Sequence, residues 1–261
     1  MKLKALSLFL LAAATFSASA VSITSFNTQF AENFDTLATT GTANTALPPG
    51  WALTETGGGA RDNEAYGADT GGSNTGDTYS YGAAASTERA LGGLRSSALI
   101  PVFGVMYDNG TGFGINSLVI NYTGEQWRLG AEARGPDRLD FQYSLNASSL
   151  TTGTWIDVDA LDFLTPNTST VGAHDGNVAA NRTVLSDAIT GLNIAPGATF
   201  WLRWTDLDAT GADDGLAVDN LSIEAQRTTA SVPEALPSAF AAVILLGLLI
   251  VSRRFAVQPT R

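Results

Sequence analysis

Short runs of alternating apolar and polar residues recur along this chain, and no stretch of twelve or more residues keeps a helical period. In residues 199–206, Phe200, Leu202 and Trp204 share one face, and Trp201 and Arg203 lie on the other. A period of two is typical of a half-buried β-strand. The same criteria predict strands in residues 78–81, 98–105, 115–122, 137–145, 154–158, 183–185 and 215–225.

The last predicted strand, residues 215–225, changes phase halfway along its length. Leu216 and Val218 are in phase with each other, whereas Leu221 and Ile223 follow the opposite phase. One extra residue in a strand has this effect, so we expect a β-bulge near Asp219.

The spacing of these strands predicts the fold class. About eight short strands, separated by turns rich in Gly, Asn and Thr, favour an all-β fold with a single β-sandwich that is jelly-roll-like. A β-helix is the main alternative, but it needs a short repeat that the chain lacks. Two connections, residues 54–77 and 164–182, are long for structureless loops, which usually indicates function or disorder.

The N-terminus has the pattern of a secretory signal peptide. Lys2 and Lys4 precede the apolar residues 5–16, and Ala18-Ser19-Ala20 supplies small residues for cleavage. We therefore expect a signal peptide at residues 1–20, an exported ectodomain at residues 21–230 and a separate C-terminal segment at residues 231–261.

The C-terminal segment contains 17 uncharged residues, 235–251, at the lower limit for a helix that spans a bilayer. Arg253 and Arg254 follow this run, and positive charge stays on the cytoplasmic side. The sequence predicts a transmembrane helix with the ectodomain outside. A buried core helix is the alternative, and it is disfavoured because the run is apolar on every side.

Charge and composition exclude several classes of partner and catalyst. Residues 21–234 contain nine Arg, no Lys and all 25 Asp and Glu, a net charge of −16. Such a surface repels nucleic acid and can attract divalent cations. The absence of Cys excludes disulfides and thiolate sites, and the single histidine, His174, excludes catalysts that need several imidazoles.

The tail resembles the PEP-CTERM sorting signal of Gram-negative bacteria. The resemblance rests on Val232, Pro233 and Glu234, the apolar run, and the final pair Arg253 and Arg254. Ala235 replaces the second Pro of the family pattern. The resemblance implies recognition by an exosortase-type membrane protease, transient residence in the inner membrane, and delivery to the cell envelope, outer surface or extracellular matrix.

Residues 204–220 are the densest acidic stretch of the chain. Asp206, Asp208 and Gly211 fit the start of an EF-hand loop, but Ala217 stands where that loop needs a bidentate Glu. A looser Ca²⁺ site remains one interpretation, and a solvated turn whose Asp residues serve turn geometry is the other. The candidate ligands of this loop are Asp206, Asp208, Asp213, Asp214 and Asp219.

Two motifs resemble the terminal strands of jelly-roll modules of the MAM and galactose-binding-like types. These are ENFDTL with LPPGW, within residues 32–51, and DDGLAVDNLSI, residues 213–223. The resemblance implies that the first and last strands pair. It also implies a structural Ca²⁺ held by Glu32 or Asp35 together with Asp219.

Aromatic residues offer a second kind of candidate site, because sugars stack on exposed rings. We single out Trp51, Tyr79 and Trp201 as candidates for glycan stacking. The alternative is packing, since a Trp in a strand usually lies in or beside the core.

No catalytic motif occurs in a suitable context, so we name no catalytic residue and expect a non-enzymatic protein that binds glycan or matrix. A secreted polysaccharide hydrolase with an Asp/Glu pair is one alternative, since carboxylate separation is not visible in a sequence. A purely structural surface or biofilm protein is the other alternative.

Overall fold

A computed structural model of the chain describes residues 19–227. The apolar run of the predicted signal peptide and the whole tail, with Val232, Pro233, Glu234, Arg253 and Arg254, lie outside the described residues. Between residues 19 and 227, no helix has the length and apolar character needed to cross a bilayer.

The described residues form a two-sheet β-sandwich, as the alternating pattern predicts. Two short 3-10 helices, Asp159–Leu161 and Ala179–Asn181, accompany the strands. The fifteen strands are β1 Val21–Ile23, β2 Gln29–Glu32, β3 Trp51–Thr56, β4 Tyr66–Asp69, β5 Asp77–Tyr81, β6 Ala90–Leu94, β7 Ile100–Asn109, β8 Ile115–Leu129, β9 Arg138–Ser144, β10 Ile156–Asp157, β11 Phe163–Leu164, β12 Gly172–Ala173, β13 Arg182–Ile194, β14 Thr199–Asp206 and β15 Gly215–Gln226.

The first sheet is built around β7, β14 and β9, which pair antiparallel in that order. Strands β1 and β3 pair with β7, while β10 and β11 pair with β9. The first sheet therefore has seven strands, and β1 is its only strand that pairs parallel.

The second sheet is built around β8 and β15, which pair antiparallel. Strands β12 and β13 pair with β8, while β2 and β6 pair with β15, and β5 and β4 continue beyond β6. Strand β2 meets the last strand antiparallel, with Glu32 opposite Leu221. The second strand of the chain is therefore adjacent to the last one, whereas the first strand, β1, pairs with β7, and of residues 32–51 only Glu32 and Trp51 lie in any of the fifteen strands.

Aromatic side chains of both sheets meet in the core. Trp204 is fully buried, with its ring centroid 5.2 Å from that of Phe141, 5.5 Å from that of Tyr122 and 5.8 Å from that of Trp51. Edge-to-face and offset aromatic pairs stabilise a core beyond the area that they bury. This cluster joins residues of the first sheet to Tyr122 of the second sheet.

The bulge that the phase slip predicts is present in β15. The register against β8 shifts between Asp219 and Ser222, and Asn220 has a positive φ of 50°. Leu216 and Val218 before the bulge and Leu221 after it all lie in the core. Asp219 therefore points away from the core although apolar residues on both sides of it point inward.

The two long connections are partly ordered into short strands. The first contains β4, and the second contains β12 and a 3-10 helix. Both approach the face of the second sheet that points away from the first sheet, where Tyr79, Tyr81 and Trp127 form a separate buried cluster.

Candidate metal centre

Three carboxylates converge on the outer face of the second sheet. Glu125 lies in β8, Asp219 lies in β15, and Glu88 precedes β6, which pairs with β15. Each contributes one carboxylate oxygen to a group in which all the oxygens lie within 4.8 Å of one another.

The sheet register places these side chains together. Glu125 is opposite Ala217 and Thr123 is opposite Asp219, so Glu125 and Asp219 are diagonal neighbours on one face. Glu88 joins them because β6 runs beside the same part of β15, with Leu91 opposite Val218.

Each carboxylate has a buried oxygen without a hydrogen-bond partner. These are Oε1 of Glu88, Oε1 of Glu125 and Oδ1 of Asp219. Glu125 is 0% exposed and Asp219 is 4% exposed. Burial of an unpaired carboxylate is costly unless a donor or a cation compensates it.

Burial and mutual repulsion raise the pKa values of two of these groups. The pKa of Glu125 rises to about 8, mainly through desolvation and then through the charge of Asp219, and the Trp127 N–H opposes the rise. The pKa of Asp219 rises to about 7, again through desolvation, with Glu88 and Asp35 adding to the repulsion. Three ionised carboxylates in this space therefore need a compensating positive charge.

Trp127 fixes the orientation of Glu125. Its indole Nε1 donates a 2.9 Å hydrogen bond to Glu125 Oε2, and its ring stacks on Tyr81 with a centroid distance of 5.9 Å. Glu125 Oε1 thus stays free while Oε2 is held. A second group that orients the first ligand is a recurring feature of metal sites.

A strap, defined here as residues 172–181, covers Trp127 and reaches the carboxylates. The His174 N–H donates to the Trp127 carbonyl oxygen at 2.8 Å, and Asn177 Nδ2 donates to Glu88 Oε2. A Cβ at Gly176 would lie 2.4 Å from Trp127 Nε1, so the strap needs glycine at this close approach.

Most carboxylates of the acidic loop, residues 204–220, accept hydrogen bonds from the protein instead of joining this cluster. Asp214 accepts hydrogen bonds from the Gly130 N–H at 2.7 Å, from Arg134 Nη2 at 2.6 Å and from Thr165 Oγ1 at 2.7 Å. Asp213 accepts the Ala209 N–H at 2.8 Å across the turn. These two carboxylates are therefore engaged by protein donors.

The other two loop candidates are also apart from the carboxylate cluster. Asp206 is fully buried and accepts the Arg95 N–H at 2.9 Å through Oδ2, while its Oδ1 has no partner. The Asp208 side chain is 72% exposed and lies 3.6 Å from Arg95. Of the five loop candidates, Asp219 is the one that belongs to the carboxylate cluster.

The early acidic residues lie near this cluster without joining it. Glu32 Oε1 accepts the Phe34 N–H at 2.8 Å, and Asp35 is exposed and accepts from Asn33 Nδ2 at 2.7 Å. The charge of Asp35 nevertheless contributes to the raised pKa of Asp219. Of the three positions that the resemblance implies, Asp219 belongs to the carboxylate cluster, whereas Glu32 and Asp35 do not, and the sequence reasoning misses Glu88 and Glu125.

Glu125 leaves one signal in the sequence. In β8 every second residue, Leu118, Ile120 and Tyr122, points into the core. Continued along the strand, this alternation places Glu125 on the opposite, outer face, where a carboxylate is ordinary. Its burial depends on tertiary contacts, among them the Trp127 indole that donates to its Oε2.

The three aromatic candidates for glycan stacking are buried, which corrects the expectation of exposed rings. Trp51 is 4% exposed, Tyr79 is 2% exposed and Trp201 is 3% exposed. Trp51 stacks on Trp204 in the core, Tyr79 packs beside Tyr81, and Trp201 packs with Leu150 on the outer face of the first sheet. Trp201 and Trp204 do point to opposite faces, as the alternation predicts, but Ala147 and Leu150 pack against Trp201 and the second sheet covers Trp204.

No protein-family model matches this chain, and no curated protein matches it. Among solved structures, 41 chains match. The K1 cleaved adhesin domain of Lys-gingipain from Porphyromonas gingivalis has 12% identity and a TM-score of 0.39, with coverage of 77% of this chain and 100% of that chain.

Two further solved structures show a similar degree of likeness. The K2 cleaved adhesin domain of Lys-gingipain has 13% identity and a TM-score of 0.41, with coverage of 75% of this chain and 97% of that chain. The CBM22-1 xylan-binding domain from Paenibacillus barcinonensis has 11% identity and a TM-score of 0.34, with coverage of 75% and 92%. Likenesses at this level do not assign a ligand.

Proposed function

We propose that this chain is an exported, non-enzymatic β-sandwich module that binds a divalent cation at Glu88, Glu125 and Asp219 and binds glycan or matrix at the cell envelope. The observation that carries the cation site is the convergence within 4.8 Å of three carboxylates that each keep a buried oxygen without a partner.

The donor set favours calcium among the common cations. Three carboxylates supply only oxygen, whereas structural zinc sites use thiolate and imidazole. Calcium accepts six to eight oxygens in flexible geometry, and magnesium requires a nearly ideal octahedron and retains waters. Glu88 is only partly buried, so the group is more accessible on that side.

A thermal-unfolding experiment on the full chain tests the cation site. We expect added Ca²⁺ to raise the unfolding midpoint measured after EDTA treatment, because a ligand that binds only the folded state stabilises it. At a hundredfold excess over Kd the gain is about 2.7 kcal/mol, which corresponds to roughly 5–10 °C for a domain of this size.

Substitutions separate this site from the acidic loop. Glu125→Gln and Asp219→Asn should abolish the Ca²⁺ shift and raise the midpoint in EDTA, since each replaces a carboxyl group whose ionised form is costly to bury with a neutral amide. Asp208→Asn is the matched control and should keep the wild-type response. Loss of the response in Asp208→Asn with retention in Glu125→Gln would instead favour the loop.

The binding role is supported by the resemblance of residues 32–51 and 213–223 to the terminal strands of jelly-roll modules, and Glu32 lies opposite Leu221 in the second sheet. The test is retention of the full chain on immobilised polysaccharides with calcium present. Retention by one glycan class, without release of sugars, is the expected result. Turnover of a polysaccharide would support the hydrolase alternative.

The targeting role is supported by the residue patterns at the two ends of the chain. We expect export through the signal peptide, then recognition of Val232, Pro233 and Glu234 by an exosortase-type protease. Mass spectrometry of the mature protein tests both steps. A mature chain that retains residues 235–261 would contradict the processing step.

A further inference from the structure

The strap carries an amide that reaches the carboxylate cluster. Asn177 Nδ2 contacts Glu88 Oε2, and Glu88 is the ligand candidate that is not fully buried. The two residues are 89 positions apart in the chain, so this contact depends on how the strap folds over the sheet.

The strap holds Asn177 in place through its own hydrogen bonds. The Asn177 backbone N–H donates to Asp175 Oδ1 at 3.0 Å, and Asn181 Nδ2 donates to the Asp175 carbonyl oxygen at 2.8 Å. This Asx-type turn is a defined local structure, so the amide of Asn177 is presented at a fixed place.

The amide group of asparagine carries both an NH₂ and a carbonyl oxygen, and these suit the cation-free and the cation-bound states of this site. Its NH₂ donates to a carboxylate, and its carbonyl oxygen is a ligand that Ca²⁺ accepts. A half-turn about the terminal bond exchanges these atoms. Without a cation, the NH₂ stabilises Glu88. With a cation bound, the amide oxygen adds one neutral ligand to the three carboxylate ligands.

We propose, on the basis of the cation site proposed above, that Asn177 is a further ligand and that cation binding thereby fastens the strap over Trp127. The strap contacts Trp127 through His174 and Gly176, and Trp127 holds Glu125 by its indole N–H. The ligand candidates, the indole and the strap therefore form one connected unit.

Asn177 has no negative charge, unlike the other ligand candidates. Its substitutions can therefore change the oxygen donor and the charge of the site separately. Asn177→Ala removes the oxygen donor and should weaken Ca²⁺ binding by about tenfold or more. Asn177→Asp keeps an oxygen donor and adds charge, so it should retain or strengthen Ca²⁺ binding. In EDTA the same Asp should lower the unfolding midpoint, because it repels Glu88.

The experiment combines calcium titration by calorimetry with amide hydrogen exchange of the full chain. Ca²⁺ should slow exchange in residues 172–181 of the wild type and should do so less in Asn177→Ala. Val178→Ala is the matched control, because Val178 is adjacent in the strap and is 49% exposed. It should leave both Ca²⁺ affinity and protection unchanged.

The outcomes separate this inference from the proposed function. Absence of Ca²⁺ binding by the wild type, or binding unaffected by Glu125→Gln, would remove both. Wild-type binding that Glu125→Gln abolishes, together with unchanged affinity in Asn177→Ala, would overturn the role of Asn177 alone. Equal weakening by Ala and Asp would show that Asn177 acts only as a donor to Glu88, and would also overturn it.

Discussion

Asp77 shows how burial governs a single carboxyl group away from the cation site. It is fully buried at the start of β5, and Arg61 Nη2 approaches its Oδ2 at 3.0 Å. Desolvation outweighs this attraction and, with a further contribution from Glu55, raises the pKa of Asp77 to about 7. A nearby positive charge therefore does not by itself keep a buried carboxyl ionised.

The raised pKa of Asp77 predicts a pH dependence of stability. The folded state holds the proton up to about pH 7, whereas the unfolded state loses it near the ordinary aspartate pKa of 3.8. The contribution of Asp77 is thus fully present below about pH 4 and is lost as the pH rises to about 7. Its slope is at most about 1.4 kcal/mol per pH unit.

Asp77→Asn should remove this contribution. Urea unfolding at pH 5 and pH 7, with wild type and variant compared at each pH, measures the difference. Asp208→Asn is the control for loss of a carboxylate from the surface. The same pH slope in wild type and Asp77→Asn would show that Asp77 does not change its protonation on unfolding in this range.

Trp204 is a core residue whose removal should be costly. Its indole contacts aromatic rings from both sheets and is fully buried. We expect Trp204→Ala to lower the free energy of unfolding by about 3–5 kcal/mol. Trp155→Ala is the control, because Trp155 is only partly buried beside Arg203 and should cost less in the same denaturant titration.

At the scale of elements, the strap and the second sheet depend on a close backbone approach. Gly176→Ala would place a methyl group 2.4 Å from Trp127 Nε1. The strap must then shift, so we expect a loss of about 1–3 kcal/mol in the free energy of unfolding and weaker Ca²⁺ binding.

Gly72→Ala is the matched control for this prediction. Gly72 lies in the other connection over the same face, and an added Cβ there has its nearest atom at 3.9 Å. Denaturant unfolding and calcium titration of both variants make the comparison. An effect of Gly72→Ala as large as that of Gly176→Ala would contradict a specific role for the contact with Trp127.

Some strands can be predicted from the local residue pattern, and others cannot. The alternation in residues 199–206 predicts β14 with its observed ends, and the phase slip near Asp219 predicts the bulge in β15. Strand β4 lies inside a segment interpreted as a loop, because its YGAD has no alternation to detect. It pairs parallel with β5, with Tyr66 opposite Thr78, and local propensity does not encode which segment a strand pairs with.

For the whole molecule, the acidic surface predicts a response to ionic strength. Residues 21–234 contain 25 carboxylates and nine Arg, so self-repulsion opposes the compact state. We expect NaCl to raise the unfolding midpoint in EDTA by screening this repulsion.

This salt response should be separable from the effect of calcium. At constant ionic strength, Ca²⁺ should add a further increase in the wild type and none in Glu125→Gln, whereas both should respond to NaCl. Scanning calorimetry of the two proteins makes the measurement. An equal Ca²⁺ increase in both would mean that the cation acts only by general screening.

The sequence alone determined the class of fold, the bulge beside Asp219 and the acidic balance, because these depend on local alternation and on composition. Only the tertiary structure decided where the carboxylates meet. Glu88, Glu125 and Asp219 come from three segments far apart in the chain, and sheet register brings them within 4.8 Å. The strap then packs over Trp127 and contacts Glu88, and no local pattern contains such contacts between distant segments.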